Sequence, residues 1–421
     1  MNVTHSKPSI AFQTFGCRLN QAEAEGWQHA LAAEGYPIVP PEAADVFCVH
    51  SCAVTEPAVR EVAKLLRARR NRHPSQKLIV SGCATALLGD IALDLRIPHE
   101  QKGEWLPRVR AFLSALPPKA PGETPIVTSE HRRTRAALIL QDGCDHFCAY
   151  CIVPHVRGKP VSESAERLLK QAQTLFANGY REIVLTGCHL ALYRDPESGM
   201  DLIELLRRLC DVPGEGRFRI GSLEPCILDD TALIGLIASS KGRLCPFLHF
   251  PMQSADDTVL QKMRRRYRQK ELRHVLDTVC ATLPGCGLSA DWIAGHPGET
   301  PQAAETTLAF VQAYPFTGAH VFPYSKRNGT PAATFPDQVP QQEILARAKR
   351  LRETAKDQQL AQLRRAIGTP LSVIPEHRHG EVRYGWSAER FRCQLPADYP
   401  RGECVTVVPS ALEGETLIVT S

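Results

Sequence analysis

The chain has 421 residues, 43% of them hydrophobic and 23% charged, with a formal net charge of +5. That length exceeds one ordinary core, so two or three domains are expected, and the composition is that of a folded globular protein, not a disordered or fibrous one. There is no run of eighteen apolar residues and no apolar leader between Met1 and Gly16, which argues against a membrane span and a secretory signal, and a cytoplasmic location is expected.

The first segment, residues 9–116, alternates strand-like apolar runs with helical patterns. Ile10–Phe15 reads as a strand, Gln21–Glu34 as a helix stopped by Gly35, Asp45–His50 as a second strand, Glu56–Arg72 as a basic helix and Lys77–Ser81 as a third strand. Such alternation predicts a parallel sheet covered by helices, an α/β domain. Residues 117–130 are rich in Pro, Gly and Ser, carry no periodicity and read as a linker. Residues 131–367 offer six strand candidates: Ala136–Leu140, Glu182–Thr186, Arg217–Ser222, Phe247–Phe250, Leu288–Ile293 and Ala319–Pro323. Helical stretches such as Ser164–Asn178 and Asp201–Cys210 lie between them, which suggests a partial or full α/β barrel, with a doubly wound sheet as the fallback.

A charged helix over 341–367 closes that segment. Residues 368–421 then read as short strands with turns: Leu371–Pro375, Glu381–Trp386, Arg390–Leu395, Cys404–Val408 and Thr416–Val419. This is the pattern of a small β-barrel. It carries Arg378, Arg383, Arg390 and Arg392 beside Tyr384, Trp386 and Phe391, a mixture that fits either nucleic-acid binding or an ordinary barrel with a charged exterior. Arginines also clump at Arg67, Arg69, Arg70 and Arg72, at Arg132, Arg133 and Arg135, and at Arg264, Arg265, Arg266 and Arg268. Clumped arginine suits a phosphate backbone, and it equally suits solvated helix faces.

Fifteen cysteines in a reducing compartment argue against a disulfide framework and leave core, metal-ligand or catalytic roles. The sharpest pattern is Cys144-Asp-His-Phe-Cys148-Ala-Tyr-Cys151, placed after the first barrel strand, where α/β barrels keep their chemistry. Three thiolates can hold three irons of a 4Fe–4S cluster and leave the fourth open. The next cysteine is Cys188, which speaks against a closed four-cysteine electron carrier, while His146 and His155 keep a zinc site open as an alternative. A second set is Cys17, Cys52 and Cys83, each just past the end of a proposed parallel strand, where loops of an open α/β sheet converge. Three unrelated buried cysteines would be the plainer reading. Cys48 should point into the core, and Cys188, Cys210, Cys226, Cys245, Cys280, Cys286, Cys393 and Cys404 read as structural, with Cys188 set apart by its place at a strand end. Glu224, Gln253 and Asp291 fall at strand ends and could reach the barrel mouth.

The CxxxCxxC spacing resembles the signature of the radical S-adenosylmethionine superfamily. With three scattered N-terminal cysteines and a small C-terminal barrel similar to the RNA-binding TRAM domain, nearly the whole chain resembles the methylthiotransferase family. Ser222-Leu-Glu-Pro225, His249-Phe-Pro-Met-Gln-Ser254, Gly295-His-Pro-Gly-Glu-Thr300 and Tyr324-Ser-Lys-Arg-Asn-Gly-Thr330 follow in that family's order. The resemblance implies a radical-SAM barrel whose cluster on Cys144, Cys148 and Cys151 chelates S-adenosylmethionine, and an auxiliary 4Fe–4S cluster on Cys17, Cys52 and Cys83. It further implies a tRNA substrate and a reducing electron donor of flavodoxin or ferredoxin type. Its branches act on threonylcarbamoyladenosine in tRNA, on isopentenyladenosine in tRNA, or on an aspartate of a ribosomal protein. Gly16-Cys17-Arg-Leu-Asn-Gln21, Leu185-Thr-Gly-Cys-His-Leu190 and His320-Val-Phe-Pro-Tyr-Ser325 are most similar to the first branch. His50-Ser51, His296 and Cys188 depart from the family pattern without removing a cluster ligand. The non-enzymatic rival is a metal-braced RNA-binding protein.

Overall fold

The computed structural model describes residues 7–117, 134–225 and 230–420. The linker from residue 118 onward, Arg132, Arg133 and Cys226 lie outside the described residues. The chain forms two compact units. Of the described residues, the first contains 7–117 together with Gly143–His146 and Cys151–Lys159, and the second contains 134–142, Phe147–Tyr150 and the residues from Pro160 onward.

In the first unit, β1 (Ile10–Thr14), α1 (Arg18–Ala33), β2 (Val46–Ser51), α2 (Glu56–Arg72), β3 (Lys77–Gly82), β4 (Leu95–Ile97) and α3 (Trp105–Ser114) build a four-stranded sheet in the order β1-β2-β3-β4. Every pairing in it is parallel. Alternation along the strands sends Phe47, Val49, Leu78 and Val80 to the α2 side, with Val62 and Leu66. It sends Val46, Cys48 and Ile79 to the other side, with Leu31, Trp105 and Val109. Both faces are covered, which is why these strands read as nearly continuous apolar runs. Gly35 ends α1 in the left-handed region at φ +83°, and Thr55 caps α2 by accepting from the Ala58 N–H. The three-residue strand β4 was not expected from the sequence.

The second unit begins with β5 (Arg135–Asp142). The helix α4 (Val153–Arg157), which belongs to the first unit, follows it in the chain. Next come β6 (Val161–Ser162), α5 (Ala165–Ala177), β7 (Glu182–Gly187), α6 (Leu202–Cys210), β8 (Arg217–Ile220), α7 (Asp230–Ser239), β9 (Phe247–Gln253), α8 (Asp257–Lys262), α9 (Gln269–Thr282), β10 (Gly287–Ala294), α10 (Pro301–Ala313), β11 (Gly318–Pro323) and α11 (Gln341–Arg365). The sheets β6-β5-β7-β8 and β11-β10-β9 are joined by parallel bridges Phe218–Leu244 and Ser222–His249. The result is a partial barrel of six parallel strands, with β6 as an antiparallel flap that was not foreseen. Leu138, Ile183, Leu185, Phe218, Leu248, Phe250, Leu288 and Trp292 pack outward on the helices in one core. The residues that alternate with them face the lumen.

The C-terminal strands β12 (Leu371–His379), β13 (Val382–Ser387), β14 (Arg392–Pro396), β15 (Val405–Val407), β16 (Ala411–Glu413) and β17 (Thr416–Ile418) form a curled sheet in the order β15-β12-β13-β14-β17-β16. It docks on the amino-terminal ends of the barrel strands through buried charge. Glu182 accepts from Arg217 Nε at 2.7 Å and from Arg219 Nε at 2.8 Å, while Arg219 donates onward to the carbonyls of Ala388 and Ser387 at 2.9 and 3.0 Å. Burial alone would raise the Glu182 carboxyl, but the two guanidinium groups hold it far below the usual range. A side chain on Gly287 would strike the Glu389 carbonyl, so glycine is required where β10 meets this sheet. Among the described residues no helix is long and apolar enough to cross a membrane.

Candidate functional site

Each of Cys17, Cys52 and Cys83 follows the carboxyl end of a parallel strand, β1, β2 and β3 in turn. Because those strands are neighbours in register, with Thr14 beside His50 and His50 beside Ser81, the three following loops leave the same sheet edge together. Gly16 has φ +93°, and a Cβ there would lie 2.5 Å from both Cβ and Sγ of Cys52; only glycine lets the Cys17 loop come that close. Asn20 fastens the two loops by donating to the carbonyls of Phe15 and Ser51, each at 2.9 Å. Cys52 and Cys83 are buried, and Cys17 is exposed. Burial pushes the Cys83 thiol up to about 11, Arg157 opposes this, and the neighbouring Cys17 and Cys52 add to it. A soft sulfur set in which a buried thiol resists ionisation until a cation arrives is chemically suited to an iron–sulfur group.

Around these sulfurs lies a charged network that the sequence reading missed. Arg157, the last residue of α4 and six residues beyond Cys151, donates from Nε to Cys83 Sγ at 3.1 Å. Its other nitrogens reach Asn20 Oδ1 and Glu23 Oε2, the latter at 3.2 Å. Glu23 also accepts from His50 Nε2 and from Lys102 Nζ, both at 3.0 Å. Burial would raise the Glu23 carboxyl, but the bond from His50 and the charges of Arg157 and Lys102 hold it well below the carboxylate range. Burial depresses His50 despite Glu23, so the pair is a neutral imidazole donating to a carboxylate. Its Nδ1 takes the Ser81 hydroxyl at 2.9 Å. The unusual His50-Ser51 pair is thus built into the network, and Ser51 Oγ adds a bond to the Ser81 carbonyl at 2.6 Å.

In the CxxxCxxC segment, Cys144 and Cys151 fall within the first unit and Cys148 within the second. Backbone N–H groups point at sulfur in the first unit, His146 to Cys144 and Val153 to Cys151, each at 3.4 Å. Ile152 and Val156 pack with Ala53, Cys83 and Ala84. Within the second unit, Ala149 is pinned between the Met263 carbonyl and the Ala332 N–H. Arg265 Nη1 lies 3.5 Å from Cys148 Sγ and 3.1 Å from Glu224 Oε2, and Arg265 donates to the Tyr267 hydroxyl as well. His189 Nε2 reaches the same Glu224 oxygen at 3.1 Å. Arg265, part of a clump that suits either a phosphate backbone or a solvated helix face, is buried and serves neither. Arg69 and Arg70 likewise pair with Glu42 and Asp94.

Glu224 is buried between Arg265 and His189, Asp291 is paired with His249 and His320, and Gln253 is buried with φ +69°. His296 is fully buried among Tyr150, Tyr324 and Phe335, where burial pushes its imidazole down to about 4. Cys188 lies 3.1 Å from Asp142 Oδ1. Cys48, Cys245, Cys286 and Cys393 are buried as structural residues should be, whereas Cys280 and Cys404 are exposed, so a core role does not account for those two.

Two family models match the chain: the radical SAM superfamily over residues 138–311 and the uncharacterized protein family UPF0004 over residues 9–96. Among curated proteins, the chain is 32% identical over 378 residues to the threonylcarbamoyladenosine tRNA methylthiotransferase MtaB of Thermotoga maritima, covering 87% of this chain and 86% of the relative. It is 33% identical over 385 residues to the tRNA-2-methylthio-N(6)-dimethylallyladenosine synthase of a Jannaschia species, covering 86% and 82%. Among solved structures, the radical S-adenosylmethionine methyltransferase TsrM from Kitasatospora setae superposes with a TM-score of 0.54 at 12% identity, over 78% of this chain and 77% of that one; this likeness speaks to fold.

Proposed function

Because this chain belongs to the methylthiotransferase family of radical S-adenosylmethionine enzymes, we propose that it adds a methylthio group to carbon 2 of N(6)-threonylcarbamoyladenosine beside the anticodon of a tRNA. The observation that carries this reading is the gathering of Cys17, Cys52 and Cys83 at one sheet edge in a chain whose barrel segment carries the CxxxCxxC run. We assign Cys17, Cys52 and Cys83 to an auxiliary 4Fe–4S cluster, and Cys144, Cys148 and Cys151 to the cluster that chelates S-adenosylmethionine. When bound, these groups supply the one-electron chemistry that exchanges an unactivated C–H hydrogen for sulfur, which no side-chain acid or base can do.

The chain's own residues do the rest. Arg157 donates to the Cys83 sulfur and Arg265 approaches that of Cys148, each placing a fixed positive charge where an anionic cluster would sit. The strands keep their outward faces packed and leave the lumen to polar groups such as Asp291. On this reading residues 9–116 form the auxiliary-cluster domain, 131–367 the radical barrel and 368–421 the RNA-binding sheet. For that last role β13 offers Tyr384 with Arg392 of β14 over its ring at 4.6 Å, and Trp386 with Arg390 of the following turn at 5.3 Å. Both rings are half-buried, and aromatic rings backed by guanidinium groups stack on unpaired bases. A reducing protein of flavodoxin or ferredoxin type would supply the electrons.

A dimethylallyladenosine substrate is the second reading, favoured by the 33% identity to the Jannaschia enzyme. Mass spectrometry of tRNA nucleosides from a deletion strain separates the two. Loss of the methylthio form of threonylcarbamoyladenosine, restored by the intact gene, is expected; unchanged methylthio-adenosines would refute the assignment. Anaerobic reconstitution should load about eight irons per chain for two cubanes, and zinc without iron would favour a metal-braced RNA-binding protein instead.

A further inference from the structure

One lumen cluster takes no part in the cysteine sites. His249 of β9, Asp291 of β10 and His320 of β11 stand on adjacent strands, with Asp291 registered beside His320 and Ser289 beside His249. Their strand neighbours Leu248, Phe250, Ala290 and Trp292 are in the outward core, and Ala319 and Val321 pack against it, so all three residues face the lumen. A single oxygen, Asp291 Oδ1, accepts from His249 Nε2 and from His320 Nδ1, each at 3.0 Å. Burial would raise Asp291, but its two imidazole donors bring it down to about 2. His249 is buried, whereas the His320 side chain is 59% exposed. Tethered through Nδ1, that ring turns its opposite edge, with Nε2, to whatever enters. Phe322, two residues on and 41% exposed, lies beside it with ring centroids 6.4 Å apart.

We propose that His320, held by Asp291 and His249, is the specificity-determining residue that hydrogen-bonds the polar substituent on N6 of the adenine, with Phe322 as its apolar flank. This rests on the methylthiotransferase reading above. The two substrates named by the chain's relatives differ at that substituent alone. Threonylcarbamoyl carries a carboxylate, a hydroxyl and a urea, while dimethylallyl is a hydrocarbon. A fixed imidazole on a charged aspartate matches the first. A hydrocarbon would strip water from it and return no hydrogen bond. Sites built to hydrogen-bond a substrate reject analogues that lack the partner far more strongly than apolar pockets reject extra polar atoms.

The test uses the reconstituted full chain and anticodon stem-loop RNAs bearing threonylcarbamoyladenosine or dimethylallyladenosine. Affinities are measured anaerobically without reductant, and kcat/KM separately with reductant, for the wild type, His320→Phe and His320→Gln. Iron content and thermal melting report folding. His320→Phe should weaken binding of the threonylcarbamoyl RNA by about tenfold to a hundredfold, carried in KM, and leave the dimethylallyl RNA unchanged or improved. His320→Gln, which keeps a donor, should retain most of the preference. If His320→Phe loses iron or melts early, the affinity ratio of His320→Gln against that of His320→Ala decides, with a drop expected for alanine alone. An unchanged ratio in every folded variant overturns the proposal. If the wild type makes no product from either RNA, the proposed function fails, and the affinity ratios still decide the role of His320.

Discussion

Replacing Arg157 by Met keeps most of the side-chain volume and removes the guanidinium that touches both Cys83 and Glu23. The structure gives two consequences. The Nε–H bond to sulfur at 3.1 Å disappears, and a hydrogen bond to a charged group is worth about 1.5–3 kcal/mol. If that whole difference falls on the reduced, more negative form of the cluster held there, the auxiliary reduction potential drops by up to roughly 65–130 mV, at about 59 mV per tenfold for one electron. Glu23 meanwhile loses one cation but keeps His50 and Lys102 at 3.0 Å. The stability loss should therefore fall at or below the lower end of the roughly 3–5 kcal/mol seen when a buried pair loses a partner. The assay is a potentiometric titration followed by electron paramagnetic resonance, on chains whose Cys144, Cys148 and Cys151 are alanine, so that only the auxiliary signal remains. Arg157→Lys keeps the charge without the fork and should give an intermediate potential. An auxiliary potential in Arg157→Met equal to that of the parent, at equal iron content, would refute the idea that this arginine acts on the sulfur site.

Cys148→Ala should abolish cleavage of S-adenosylmethionine, whereas Cys52→Ala should still cleave it and form no methylthio product; normal product from Cys52→Ala would remove Cys52 from the auxiliary set. Glu182→Gln leaves Arg217 and Arg219 buried without their carboxylate and should cost about 3–5 kcal/mol, seen as a lower melting midpoint and faster proteolytic release of the C-terminal sheet. A midpoint like that of the parent would count against the docking role. Asp291 is held ionised in the folded chain, down to about 2 from an ordinary 3.8. The stabilisation is therefore complete above about pH 4, is lost as the pH falls toward 2, and amounts to about 2 kcal/mol. Asp291→Asn should flatten this part of the stability profile, and an identical acid profile in the variant would argue against it.

Much of the architecture follows from local pattern. The three strands of the first sheet that carry cysteines at their ends, and most of the barrel strands, are short apolar-rich runs set between helices with a 3.6-residue period, and both signals are local. The strands β4, β6 and β16 escaped because two or three residues carry no period. They exist only because a neighbouring edge offers hydrogen bonds. The place of Cys17, Cys52 and Cys83 just past three parallel strands was legible for a related reason, since such residues lie at the edge where loops converge, whatever the packing.

The partners of those cysteines were not legible. Arg157 meets a sulfur 74 positions away and a carboxylate 134 positions away. Arg265 reads as one more member of a basic clump until its burial against Glu224 and Tyr267 is seen. His249, Asp291 and His320 sit on three strands, and only strand register brings them to one oxygen. Sequence alone determined which residue types could bind metal and which segments would be strand or helix, because thiolate chemistry and backbone periodicity are properties of the residues themselves. Tertiary structure decided which charges sit beside the sulfurs and which histidines meet Asp291 in the lumen, because a buried charge persists only where distant segments supply its counter-charge.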